Sequence, residues 1–208
     1  MTLVVFDMDG TLIDTQHDIT ASINHVRAQH YGLPPLQSSF VVEAINREER
    51  NLADLFYHTL HYEDAAKALF ETHYYEQCIQ SPRLYEGIKG VLEALKERKI
   101  ALSVATNAPS PFAKRMMAHL GIDAYFDCIV GADMVEVPKP NPQMLHKIFE
   151  YYGFDPKSHL GYMVGDNSKD IGVAANAGIA SIFATWGFSS EGKGDHVCHH
   201  PLDLLKII

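Results

Sequence analysis

Two carboxylates stand at i and i+2 in Asp7-Met8-Asp9-Gly10-Thr11, directly after the apolar run Leu3-Val4-Val5-Phe6. On an extended segment residues two apart point to the same side, so Asp7 and Asp9 can converge on one ligand, while Gly10 permits the turn that follows. Charges held so close repel, and a divalent cation is the natural compensation. Further along, Gly165-Asp166-Asn167-Ser168-Lys169-Asp170 sets acidic residues at i and i+4 as a helix begins. Asp166 suits Mg²⁺, which takes a few carboxylates together with water and phosphate oxygens, although it also reads as a plain helix N-cap. Asp170, one turn on, is better suited to position a metal-bound water or a lysine than to coordinate. Lys139 is the lysine in question: in Val137-Pro138-Lys139-Pro140-Asn141-Pro142 the flanking prolines hold the chain extended and fix its direction just before a helix. Thr106-Asn107 adds a hydroxyl and an amide where a phosphate oxygen would need donors.

Four short apolar runs rich in β-branched residues carry these groups, at residues 3–6, 100–105, 128–130 and 161–164, each closed by small, polar or acidic residues. They read as buried parallel strands. A fifth, 180–184, follows Gly178, a helix stop. Helical patterns lie between them, such as residues 87–98 with Ile88, Val91, Leu92 and Leu95 on one face, and residues 111–120. The alternation predicts a doubly wound, Rossmann-like parallel sheet, the α/β class, with ligands at the carboxyl ends of its strands. From Thr15 to Pro82 the pattern changes to helices alone, over residues 18–31, 40–45, 51–60 and 64–80. The expected organisation is a catalytic core of residues 1–14 and 83–208, with a small all-helical cap domain of residues 15–82 inserted after the first strand.

Composition narrows the function. The 208 residues are 47% apolar and 21% charged, as in soluble globular proteins, and 26 acidic against 17 basic side chains give a net charge of -9. That charge disfavours a nucleic-acid partner, and it obliges an enzyme acting on phosphate esters to neutralise its ligand locally with a metal and a lysine. Cys78, Cys128 and Cys198 are odd in number and widely spaced, which points to a reducing compartment rather than a disulfide framework. The opening apolar run is too short for a signal peptide and no later stretch approaches a membrane span, so a cytoplasmic protein without a membrane partner is expected.

With Asp7-x-Asp9-Gly10-Thr11 followed in order by Thr106-Asn107, Lys139 and Asp166 to Asp170, the chain resembles the haloacid dehalogenase-like hydrolase superfamily over nearly its whole length. The opening Asp-Gly-Thr-Leu-Ile-Asp, the Thr-Asn pair and the insertion length look most like its phosphoglycolate phosphatase branch. The resemblance implies a Mg²⁺-dependent phosphatase that hydrolyses a small-molecule phosphate monoester through an aspartyl-phosphate. On that basis Asp7 is the nucleophile, and Asp9 is the acid and base that also lends its carbonyl to the metal. Met8 only spaces the pair. Thr106, Asn107 and Lys139 bind the phosphate, Lys139 also steadying Asp7. Asp7, Asp9 and Asp166 hold Mg²⁺, Asp170 positions metal-bound water, and the helical cap closes over the site. The presence of Asp9 argues against a dehalogenase, whose halide leaving group needs no proton. Lys67, the only lysine of the insertion, reads as a surface residue, which argues against Schiff-base phosphonate cleavage. A sugar phosphomutase, a pyrophosphatase or a nucleotidase stays open beside 2-phosphoglycolate hydrolysis. A non-enzymatic binding protein on the same scaffold would have lost a catalytic carboxylate, and none is missing.

Within the insertion, Arg47 and Arg50 are the cations best suited to a substrate carboxylate, with solvated i,i+4 pairs as the rival reading. His196-Val197-Cys198-His199-His200 has side chains of the kind that bind zinc or nickel, but its spacing fits no standard site, and a histidine-rich surface explains it as well. A monomer or homodimer is expected.

Overall fold

Strand β1, Thr2–Phe6, is buried along nearly its whole length, as a continuous apolar run requires in a sheet covered on both faces. It lies between β4 (Ala101–Ala105) and β6 (Leu160–Gly165), parallel to both, with Phe6 opposite Val104 on one side and Val164 on the other. The computed structural model describes residues 1–47 and 51–208, and these divide into two compact units, Met1–Asp14 with Arg83–Ile208, and Thr15–Pro82.

In the first unit, β5 (Cys128–Val130), β7 (Ala180–Ala184) and β8 (His196–Cys198) complete a six-stranded sheet in the order β5-β4-β1-β6-β7-β8. Every pairing is parallel. Counted along the chain within this sheet, the order reverses at β1, so the crevice for a ligand opens at the carboxyl ends of β1 and its neighbours. Helices α5 (Ile88–Glu97), α6 (Ser110–His119), α7 (Gln143–Tyr152), α8 (Ser168–Ala177) and the short α9 (Leu204–Ile207) connect or follow the strands. Helix α5 buries Ile88, Val91, Leu92 and Leu95, the stripe that the 3.6 period predicts, each contributing about 1.5–3 kcal/mol of transfer free energy. Leu3 and Val5 from β1 and Met163 from β6 share one core with Met144, Ile148 and Val173 of α7 and α8.

Three strands were not foreseen. A two-residue antiparallel ribbon pairs β2 (Ile13–Asp14) with β3 (Arg83–Leu84) where the chain leaves this unit and returns to it. Its strands are too short to carry a period. The third is β8, in the segment read as a metal-binding or surface histidine cluster. His196, Val197 and Cys198 pair with Ile182, Phe183 and Ala184 of β7, burying Cys198 at the edge of the sheet.

The second unit holds α1 (Gln16–His30), α2 (Ser38–Asn46), α3 (Leu52–Tyr57) and α4 (Asp64–Gln77), with no strand among its described residues. Ile23, Val26, Val41, Ala44, Phe56 and Tyr57 form its core. Arg27 is buried in it and donates from Nε to the Pro34 carbonyl at 2.7 Å and from a terminal nitrogen to the Phe56 carbonyl, meeting the need of a buried polar group for partners. Near the start of α1, fully buried Asp18 accepts from Gln77 Nε2 at 2.8 Å and from the Ser81 N–H at 3.3 Å.

Candidate active site

The sheet register carries Asp7, Thr106 and Asp166 past the carboxyl ends of β1, β4 and β6. The Asp7 N–H donates to the Val164 carbonyl at 2.8 Å and the Thr106 N–H to that of Val130 at 3.0 Å, so both residues are held by the last rungs of the ladder. Beyond Asp7 the chain turns back on itself. The N–H groups of Leu12 and Ile13 donate to the Met8 carbonyl at 2.9 and 3.0 Å, and the Met8 side chain is fully buried. Met8 therefore anchors the turn as well as spacing the carboxylates. Gly10 has φ +83°, and a Cβ there would stand 2.4 Å from Asp166 Oδ2, so this position needs glycine both for its backbone and for the approach of Asp166.

Lys139 Nζ donates to Asp7 Oδ1 at 2.6 Å and to Asp170 Oδ1 at 2.7 Å, with all three side chains at least nine-tenths buried. Burial alone would lower the lysine pKa. Asp170 and Asp7 outweigh it and hold the ammonium charged. Asp170 is also tied to the start of its own helix. Asn167 is the N-cap of α8, accepting from the Lys169 N–H, while the Asn167 N–H donates to Asp170 Oδ2 at 3.1 Å. The cap of this helix is thus Asn167, which leaves Asp166 to face the site. Asp166 accepts from the Thr11 hydroxyl at 3.3 Å and from the Phe188 N–H at 2.7 Å.

Three buried carboxylates, Asp7, Asp166 and Asp170, bring one oxygen each to within 4.8 Å of one another, the group among the described residues that could share a metal. Burial first, and then Asp7 and Asp170, push the Asp166 carboxyl well above its ordinary range. Burial and Asp7 likewise push Asp170 up. The carboxylates outnumber the single ammonium, so the donor set fits a small divalent cation that takes oxygen ligands.

Asn107 braces the segment that carries the lysine. Its amide donates from Nδ2 to the Lys139 carbonyl at 3.1 Å and accepts from the Lys139 N–H at 3.0 Å, so both ends bond the backbone that carries the lysine. Thr106 is buried and its hydroxyl oxygen accepts from the Ala108 N–H at 3.0 Å. Asp9 is half-buried in the turn and pairs with Ile13 through its backbone. Arg47 lies in the helical unit, exposed, with a guanidinium nitrogen 2.8 Å from Glu43, the i,i+4 pair of the rival reading. Arg50 lies outside the described residues.

The histidine cluster gathers no metal site among the described residues. The His199 ring nitrogen is 3.0 Å from the Thr185 hydroxyl, and His200 caps a short turn by accepting from the Leu202 N–H at 3.2 Å. Burial, with Asp203 nearby, pushes the Cys198 thiol up to about 11, away from the thiolate that a metal would bind.

Sequence reasoning missed Tyr85 and the turn after β7. Burial raises the Tyr85 phenol pKa, and Asp14, Asp166 and Asp9 add to the shift, which identifies it as an electrostatic neighbour of the motif carboxylates. The available signal for the turn was a glycine between two aromatics, Trp186-Gly187-Phe188, directly past a strand end on the ligand edge.

A model of the family described as haloacid dehalogenase-like hydrolase matches residues 4–184. A phosphoglycolate phosphatase of Yersinia pestis is 32% identical, with 99% of this chain and 92% of the relative covered. An N-acetylmuramic acid 6-phosphate phosphatase of Pseudomonas aeruginosa is 30% identical over 99% of this chain and 93% of its own length. Among solved structures, a predicted phosphoglycolate phosphatase from Haemophilus somnus superposes with a TM-score of 0.86 at 29% identity, covering 99% of this chain and 96% of that one.

Proposed function

This chain belongs to the haloacid dehalogenase-like hydrolases and is a phosphatase, and we propose that it hydrolyses a small phosphate monoester through an aspartyl-phosphate on Asp7, with 2-phosphoglycolate the first substrate to test. The observation that carries this reading is the Lys139 ammonium bonded to Asp7 at 2.6 Å and to Asp170 at 2.7 Å, beside a third buried carboxylate, Asp166. A carboxylate held this way is oriented and shielded from water, which are conditions that suit a nucleophile.

Asp7 attacks phosphorus in line, forming one P–O bond as the ester P–O bond breaks, and Asp9 gives its proton to the departing alkoxide. Asp9 then takes a proton from water, which attacks the aspartyl-phosphate and frees Asp7 and inorganic phosphate. Lys139 and the Thr106 hydroxyl bind phosphoryl oxygens. Asp7, the Asp9 carbonyl and Asp166 would hold Mg²⁺, and Asp170 positions Lys139. When bound, the cation would offset the negative charge that phosphate brings to an already acidic site. Phosphoglycolate phosphatases at 30–32% identity over nearly the full chain support the substrate; the N-acetylmuramic acid 6-phosphate phosphatase at 30% makes a sugar phosphate the next to try.

The test is steady-state phosphate release from 2-phosphoglycolate, sugar phosphates, nucleotides and pyrophosphate, with and without Mg²⁺. Release that needs Mg²⁺ and vanishes in Asp7→Asn is expected. Undiminished release by Asp7→Asn would overturn the mechanism.

A further inference from the structure

The turn after β7 reaches Asp166 from a different strand than the one that carries it. The Phe188 N–H donates to Asp166 Oδ2 at 2.7 Å and the Thr11 hydroxyl to Oδ1 at 3.3 Å, so each carboxylate oxygen has its own donor. The Trp186 indole N–H donates to the Thr11 carbonyl at 3.0 Å, tying the turn to the residue that supplies the second donor. Gly187 sits between these bonds with no room for a side chain: a Cβ there would stand 1.9 Å from the Gly10 carbonyl oxygen and 2.6 Å from Asp166 Cβ. Two glycine backbones, at positions 10 and 187, thus close on one carboxylate, and the contacts form a ring from Asp166 through Thr11, Trp186 and Phe188 back to Asp166.

We infer that Trp186-Gly187-Phe188 is a clamp that fixes the rotamer of Asp166 and thereby sets the affinity of the site for a divalent cation, with Trp186 a positioning residue acting through Thr11. The inference rests on the proposal that Asp166 holds the cation. A small cation with a strict octahedral preference gains most from a carboxylate that is already aimed, because no side-chain freedom is lost on binding. Partners that orient a metal ligand are typically worth 10–100-fold in affinity. The clamp comes from a strand two places from β1 in the sheet order, so it couples β7 to the motif turn.

Mn²⁺ binding to the full chain, followed by electron paramagnetic resonance of the free ion, tests this without any turnover. Trp186→Phe keeps an aromatic side chain but loses the indole N–H, and is expected to weaken binding about fivefold, the size of one hydrogen bond. Gly187→Ala is expected to weaken it by at least about tenfold. If Gly187→Ala does not fold, as judged by circular dichroism, Trp186→Phe decides alone. Because Trp186 acts through Thr11, adding Trp186→Phe to Thr11→Val should bring little further loss; full additivity would overturn that route. Wild-type affinity in the folded clamp variants, with binding lost in Asp166→Asn, would overturn the clamp alone. Wild-type affinity in Asp166→Asn would instead overturn the metal-site reading beneath it.

Discussion

Replacing Asn107 by alanine separates the two roles open to this residue, holding the Lys139 backbone and binding phosphate. Its amide makes two hydrogen bonds to the Lys139 backbone, at 3.1 and 3.0 Å, across 32 positions of sequence. At roughly 1 kcal/mol net for each, their loss should destabilise the fold by about 2 kcal/mol. For a chain of this size that lowers Tm by about 4–8 °C. The effect on catalysis follows from what the backbone carries. Lys139 Nζ is 2.6 Å from Asp7 and 2.7 Å from Asp170, so a shift of about an ångström takes both contacts out of hydrogen-bonding range, and misplacement on that scale costs on the order of 100-fold in rate. Because the amide itself is committed to the lysine, the loss should fall on kcat and leave KM nearly unchanged. Asn107→Asp keeps the acceptor for the Lys139 N–H but turns an oxygen toward the Lys139 carbonyl, so it should rescue neither stability nor rate. Thermal melts and initial rates of phosphate release measure all of this. A wild-type Tm and kcat in Asn107→Ala, or a loss confined to KM, would refute the argument, the latter returning Asn107 to the phosphate.

Other outcomes follow from the same structure. Burial, and then the His25 ring stacked at a centroid distance of 4.0 Å, holds the His73 pKa below its ordinary value, with Nδ1 2.9 Å from the Ser22 hydroxyl. As pH falls through about 6.5 the unfolded chain therefore takes up this proton first, and stability present at pH 7 is lost toward pH 5. His73→Asn should flatten that part of the Tm-against-pH profile, and an unchanged slope would remove His73 from the account. Since the buried carboxylates outnumber the ammonium, Mg²⁺ should raise Tm; at about 100 times its Kd, linkage gives about 2.7 kcal/mol. Asp166→Asn should abolish that rise, and a rise that survives places the ion elsewhere. Cys198 is 1% exposed with its thiol pushed up to about 11, so iodoacetamide at pH 8 should leave it unmodified until the chain is denatured, as peptide mass mapping would read.

What could be read in the sequence was whatever local chemistry alone decides. The runs at 3–6, 100–105 and 161–164 are buried on both sheet faces, so they contain no alternation to confuse, and the amino-acid sequence alone places Asp7, Thr106 and Asp166 each at a strand end. Lys139 announced itself through its prolines. The strand β8 could not be read this way. Its residues His196-Val197-Cys198 carry a weak strand signal that their metal-binding chemistry overshadowed, and only the register against Ile182 to Ala184 reveals them as an edge. Asn107 was legible as a polar group at the right edge but not as a partner of Lys139, because the pairing depends on two loops meeting.

The turn Trp186-Gly187-Phe188 marks the same boundary more sharply. A backbone N–H has no sequence signature, so the Phe188 donor to Asp166 is invisible to any reading of side-chain types. Gly187 shows only the absence of a side chain, and the reason for it, a Gly10 carbonyl oxygen where a Cβ would stand at 1.9 Å, lies 177 positions away in the chain. Nucleophile, lysine and metal carboxylates must be particular residue types because their side chains take part in the chemistry. The groups that orient them need only a donor or a space at the right point, which many residue types can supply. A motif therefore tells which atoms react, while the accuracy with which they are held is written in close approaches between strands that only the fold brings together.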